Sequence, residues 1–337
     1  MSKNIPNLRE NVLLFSAIYC IISYMENLLA EHITSPYLVT PSFSGHQTFP
    51  FRYTWLKKGV DAITEDPTVF SSEDASVTLG VGKNMVASIR HWCQISGLIR
   101  SDTKQRGRFV PTDFGKTIFD DKDGFDPYLD DPATLWLIHW QIATNIDQAT
   151  AWYWAFNVLN ENQFTLPAFK EKLYEWVQQQ KEPMRPVSDN TLDRDVSCFI
   201  RTYCHSRNNT NTTVAEETFD CPLVELNLII KLTNGEGYEF QRGEKETLPI
   251  EIFAATLVAF WIARFSEKDT LPFSELMYAP LSPGRIFRLD EDTTTAYLES
   301  LNDVTNGALQ YDETAGLKQV YRYKDLNPIE LLKKHYG

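Results

Sequence analysis

The chain has few cysteines and no CxxC pair among them. The five (Cys20, Cys93, Cys198, Cys204 and Cys221) form an odd set that fits reduced thiols in the cytoplasm better than a disulfide framework. Cys198, Cys204 and Cys221 with His205 invite a metal or cluster reading. Their spacing matches no compact zinc motif, so buried small hydrophobes are the plainer expectation. A long hydrophobic run is also missing. The apolar stretch at residues 12–22, VLLFSAIYCII, follows Lys3 and Arg9 but is too short to span a bilayer, and no small-residue cleavage site comes after it. There is no Walker loop, dinucleotide glycine fingerprint, HExxH or GxSxG, which makes nucleotide hydrolysis, metalloprotease and esterase chemistry poor readings.

Acid is abundant: the formal net charge is −13 and the sequence pI about 5.0, against a protein that coats nucleic acid by bulk charge. The distribution is uneven. Residues 42–59, SFSGHQTFPFRYTWLKKG, contain no acid but hold His46, Arg52, Lys57 and Lys58 among Phe49, Phe51, Tyr53 and Trp55. Residues 80–110 carry six cations against Asp102 alone, a local net of +5. Residues 113–147 reverse the sign, with eight aspartates against Lys116 and Lys122, a local net of −6 and a surface suited to a basic partner protein.

With 337 residues and 43% hydrophobic content the chain can bury a core across two or three domains. Met85, Val86, Ile89, Trp92, Cys93 and Ile95 recur at helical spacing and Gly97 stops that helix; two short strands joined by a polar, glycine-containing turn follow. This is the order of a winged helix-turn-helix. A similar phrase recurs at residues 164–265 and again near the C-terminus. The expected fold is therefore mainly α with small β-hairpins (α+β), with multiple winged helix-turn-helix-like modules around a helical core. Expected divisions are an apolar extension at 1–35, a first module at 36–125, a central helical region with a second module at 126–265, and a third module at 266–337. Two tryptophan-rich segments, ATLWLIHWQIA and AWYWAFNVL, read as buried helices of the central core.

A winged helix places its second helix in the major groove and its wing along phosphates. Lys83, Asn84, Ser88, Arg90 and His91 then fall on or beside the recognition helix, and Lys104, Arg106 and Arg108 at the wing tip. Gln47, Lys57 and Arg52 extend this surface into the opening stretch. The alternation of its aromatics suggests a strand-like face packed in the core before a helix at Leu56. His46, in a loop-like setting after Gly45, is a candidate acid/base, metal ligand or phosphate contact. Asp193/Asp195 and Asp290/Glu291/Asp292 are pairings that can bind Mg²⁺, but both sets sit at expected helix starts, where acids cap the end and favour the macrodipole.

FSGHQTFPFRYTWLKKG, LGVGKNMVASIRHWC, SPGRIFRLDE and ETAGLKQVYRY together resemble a bacterial family, described as a domain of unknown function, that occurs with DNA phosphorothioation genes. The resemblance runs from Phe43 to the C-terminus. Gly45, His46, Gln47, Thr48, Phe49, Pro50, Arg52 and Trp55 match the family's opening motif, and Gly82, Lys83, Asn84, Met85 and Trp92 its helix-turn-helix. It implies the role of the DNA-nicking component of the single-strand phosphorothioation system, where a cysteine desulfurase and an ATP-pyrophosphatase-type partner place sulfur in the backbone. A nickase on this reading uses Mg²⁺ or Mn²⁺, with His46 as acid/base or metal ligand and Arg52 on the scissile phosphate as the candidate catalytic residues; the resemblance itself assigns no catalytic residue or metal set. The alternatives are a non-catalytic DNA-binding adaptor of the modification complex and a winged-helix transcriptional regulator. The apolar extension departs from the family pattern, an expectation consistent with translation starting at Met25.

Overall fold

The computed structural model describes residues 39–180, 187–205, 221–233 and 235–337. The apolar stretch at 12–22 lies outside them, as do Cys20 and Met25. Among the described residues no helix is long and apolar enough to cross a membrane.

The opening loop leads directly into α1 (Tyr53–Glu65), which begins three residues earlier than Leu56. Residues 49–52 form no strand; Arg52 is extended, with φ −117° and ψ 158°, and the helix starts after it. Trp55, Leu56, Gly59, Val60 and Ile63 recur at helical spacing and form the buried face. A 3₁₀ turn (Val69–Ser71) and the short α2 (Ala75–Leu79) follow. Gly80, at φ +62°, ends α2 in the left-handed conformation that lacks a Cβ penalty. α3 (Lys83–Ile95) buries Val86, Ile89, Trp92, Cys93 and Ile95 against α1. β1 (Ile99–Ser101) and β2 (Phe109–Pro111) pair antiparallel, Arg100 opposite Val110, around a polar turn.

After α4 (Asp113–Phe119), the tryptophan-rich segments form α5 (Pro132–Thr144) and α6 (Thr150–Asn157). They are the buried central helices the sequence predicts: Trp136, Trp140, Trp152 and Trp154 are all at most 2% exposed. Asp131 accepts the Ala133 N–H at 2.8 Å, and Pro132 starts α5 where no amide donor is needed. Truncating one such tryptophan to alanine costs about 3–5 kcal/mol.

The second phrase is β3 (Gln163–Phe164), α7 (Leu166–Gln178), α8 (Asp189–Tyr203), a 3₁₀ turn (Pro222–Leu226), β4 (Ile229–Lys231) and β5 (Tyr238–Phe240). The sheet order is β3-β5-β4. Apolar α9 (Ile250–Phe265) leads into the third group: β6 (Thr270–Pro272), α10 (Phe273–Tyr278), α11 (Pro283–Ile286), α12 (Glu291–Glu299), α13 (Leu301–Val304), β7 (Leu309–Thr314) and β8 (Leu317–Arg322). Here the order is β6-β8-β7, and α14 (Pro328–Tyr336) closes the chain against α9. Among the described residues the architecture is thus mixed, mainly helical with three small antiparallel sheets. One continuous apolar cluster runs from Phe51 to Leu332 through all three groups.

The acids at 189–195 divide between two roles. Ser188, rather than an aspartate, caps α8 by accepting from Thr191 N, and Asp193 pairs with Lys170 at 2.8 Å. Asp195 lies in the second turn and is 2% exposed. Asp290 does cap α12, accepting from Thr293 N at 2.8 Å. Cys198 and Cys221 are buried, and the Cys204 thiol faces Ile229 O at 3.2 Å. Burial pushes the Cys204 thiol up to about 12, so it stays protonated.

Candidate nucleic-acid interface

Ser44, Gln47 and Thr48 have φ of +64°, +50° and +72°. Three non-glycine residues in the left-handed region within five positions need outside support. α3 supplies one side of it: Ser88 Oγ donates to His46 O at 2.9 Å and Trp92 Nε1 to Phe49 O at 2.8 Å. α8 supplies the other, because Asp195 Oδ2 accepts from Ser44 N at 2.9 Å and Arg201 Nη2 donates to Thr48 O.

His46 lies at the centre of this clamp and is 1% exposed. Thr48 N donates to its Nδ1 at 3.0 Å, which leaves the proton on Nε2, 3.1 Å from Asp195 Oδ1 but off the hydrogen-bonding direction. Neither ring nitrogen therefore offers a lone pair to solvent. The imidazole packs edge-on against Trp152 and His91. Gly45 passes directly over His91, and a Cβ there would overlap the imidazole, with Cγ at 2.9 Å. Burial first, then the neighbouring His46 and Arg90, lowers His91 to about 3, so it is neutral.

The clamp presents Gln47 outward. Gln47, Lys83, Asn84 and Arg90 line one cleft of about 670 Å³ with Ser71, Ser72, Ser76 and Glu73. Lys83 and Asn84 are exposed on the first turn of α3, whose free amides and dipole favour an anion. Ser71 Oγ donates to Gly107 O at 2.7 Å, so the β1–β2 turn stands beside this cleft. Lys104 and Arg106 are exposed on that turn; Arg108 is partly held by Asp102, 3.3 Å from its Nε.

A second cleft, about 730 Å³, lies across the α3 N-terminus and is lined by Arg52, Tyr53, Trp55, Lys58, Gly82 and Met85. Arg52 stacks its guanidinium 5.3 Å from the Trp55 ring centroid, and Lys58 Nζ donates to Leu79 O at 3.0 Å.

The structure thus brings Gln47, Lys83, Asn84 and Arg90 together, with Lys104 and Arg106 nearby, and places Arg52 on the adjoining face. It separates other predicted contacts from this surface. Ser88 is fully buried and serves the loop backbone, His91 packs beneath Gly45, and Lys57 is gripped by Asp61 and Asp121 at 2.6 Å each. Burial disfavours the Lys57 ammonium, but those two hydrogen bonds outweigh it and raise the pKa. Sequence reading missed Arg201 and Ser71, and it took Asp195 with Asp193 as a pairing able to bind Mg²⁺ or as helix-start acids, not as the partner of the opening loop. Asp195 had a visible sign: it shares the buried face of α8 with Leu192, Val196 and Phe199.

The donor set of the opening loop does not match the oxygen shell of Mg²⁺. It offers one buried carboxylate and an imidazole without a free lone pair, and no three His, Cys, Asp or Glu side chains among the described residues form a metal-binding group.

Comparison with solved structures finds a magnesium ion-bound SspB crystal structure and a second SspB crystal structure. Each is 28% identical, with a TM-score of 0.77 and 89% of both chains covered. The search of curated proteins matched nothing. A family model described as a protein of unknown function (DUF4007) matches residues 43–336, and the chain belongs to that family.

Proposed function

We propose that the protein is a DNA-binding component of a bacterial DNA phosphorothioation system, with the first cleft and the β1–β2 turn as its DNA contact. One observation carries this reading: Gln47, Lys83, Asn84 and Arg90, separated by up to 43 positions, converge on a single cleft in a chain of net charge −13. The clamp holds Gln47 in place, α3 offers its N-terminal amides, and on this reading the exposed Lys104 and Arg106 of the turn meet phosphates. On this reading α1, α2, α3 and the hairpin act as a winged helix-turn-helix, with α3 as recognition helix. The likeness to SspB supports the link to the Ssp system, and with it a cysteine desulfurase and an ATP-pyrophosphatase-type protein as partners. Contacts to the DNA phosphates position the duplex without reading its sequence, so binding tolerant of many sequences separates this reading from an operator-specific regulator.

Nicking is the second reading, favoured by the magnesium ion in the related SspB crystal structure. On this reading Arg52, half-buried beside the cleft, meets the scissile phosphate, while His46, whose ring nitrogens are turned from solvent, acts through the loop it holds rather than as acid/base or metal ligand. Supercoiled plasmid incubated with the protein and Mg²⁺, Mn²⁺ or EDTA tests both. Metal-dependent open circles establish the nickase, retention on the plasmid without open circles leaves the adaptor, and absence of plasmid binding refutes both.

A further inference from the structure

The SPGRIFR segment contains a cationic group that the DNA cleft does not use. Arg288 is 7% exposed, at φ +54°, and its guanidinium stacks 3.8 Å from the Phe240 centroid and 5.4 Å from that of Phe156. Its Nη2 donates to Ala155 O in the last turn of α6, but its Nε is buried without a partner. Arg285 is half-buried; Nη2 donates to Asn160 Oδ1 at 2.9 Å and its Nε is likewise unpartnered. Gly243 N donates to Arg288 O at 3.1 Å, which brings in exposed Arg242 and Lys245, itself 7% exposed.

Among the described residues no carboxylate forms an ion pair with Arg285, Arg288 or Lys245. Asp290 attracts Lys245 at longer range while capping α12, and Glu291 accepts from Tyr278 Oη. Burial, then Arg285 and Arg242, lowers Arg288 to about 9; burial lowers Lys245 to about 8. A desolvated guanidinium surrounded by further cations is costly unless an anion joins it. Cation–π contact and the α6 C-terminus offset part of that cost, but leave the two Nε–H donors unused.

We propose that Arg242, Lys245, Arg285 and Arg288 form a binding site for a phosphate-type oxyanion, entered at Arg242 and reaching inward to Arg288. Several oxygens on one centre match several guanidinium forks better than a single carboxylate does. The site lies at the opposite end of α6 from the opening loop, about 12 Å along the eight-residue helix. It stands independently of the DNA cleft. The oxyanion is either free phosphate or a strand phosphodiester.

Thermal unfolding of the full chain in inorganic phosphate against chloride at matched ionic strength tests the site. Phosphate is expected to raise Tm beyond chloride, with an apparent Kd weakened roughly tenfold in Arg285→Gln by loss of charge-assisted hydrogen bonds. Arg242→Gln, on the surface, provides the same test should Arg285→Gln fold poorly. A single-stranded oligonucleotide lacking terminal phosphates then separates the sources. Competition with inorganic phosphate indicates a strand phosphodiester, and its absence free phosphate. No phosphate-specific rise, or a rise unchanged in both variants, overturns the proposal.

Discussion

Asp195 accepts for the opening loop, and its removal has a magnitude that follows from the geometry. Asp195→Ala deprives Ser44 N–H of its acceptor at 2.9 Å and removes the oxygen facing the His46 Nε2 proton at 3.1 Å, both in a nearly dry site. Leaving the part-buried Ser44 N–H without its acceptor costs about 1–3 kcal/mol. Asp195→Asn is more diagnostic. Its carbonyl oxygen still accepts from Ser44, but its NH₂ then faces the His46 Nε2–H. The wild-type Nε2–H makes no hydrogen bond but faces the carboxylate's negative charge; the amide replaces that attraction with a donor facing a donor, and moving the proton to Nδ1 sets it against Thr48 N–H instead, so either tautomer destabilises by about 1–3 kcal/mol. Urea unfolding followed by tryptophan fluorescence measures the change; many of the eight tryptophans lie in this core. An Asn variant within about 0.5 kcal/mol of wild type refutes the tautomer assignment and the clamp built on it.

Gly45→Ala drives a Cβ into the His91 ring and is expected to destabilise by about 1–3 kcal/mol, read as a lower urea midpoint, with weaker DNA binding because Gln47 shifts. His139 is fully buried and lowered to about 3, by burial first and then by Arg288 and Lys245, while Ile286 O opposes the shift. The unfolded chain therefore takes up this proton first as pH falls below about 6.5, and stability drops by about 1.4 kcal/mol per pH unit until the folded group titrates. His139→Gln is expected to reduce the proton uptake on unfolding by about one in that window, measured from urea midpoints across pH. Lys57→Met is expected to leave duplex affinity within about twofold, whereas Lys83→Ala lowers the salt dependence by roughly one phosphate contact, both by fluorescence anisotropy.

Helix and hairpin positions were legible because their patterns are local. Met85, Val86, Ile89 and Trp92 announce α3, and the tryptophan-rich segments announce two buried helices. The opening stretch was harder. Its alternating aromatics imitate a strand, but Tyr53 is 39% exposed while Phe51 and Trp55 are buried, because α1 begins at Tyr53 and turns their spacing into a helical one. Charge identified the basic segments without showing which cations are free. Lys57 and Lys83 look alike in sequence, yet one is held by Asp61 and Asp121 and the other is exposed. His46 stood out by its loop setting, but its partner Asp195 is 149 positions away, and only tertiary packing brings them together.

The most direct test of the DNA interface is the salt dependence of duplex binding by wild type and by a Lys104→Ala/Arg106→Ala variant. If the β1–β2 turn lies along phosphates, the slope of log K against log salt falls by about 1.8 in the variant and affinity weakens similarly across sequences. An unchanged slope and affinity contradict the account.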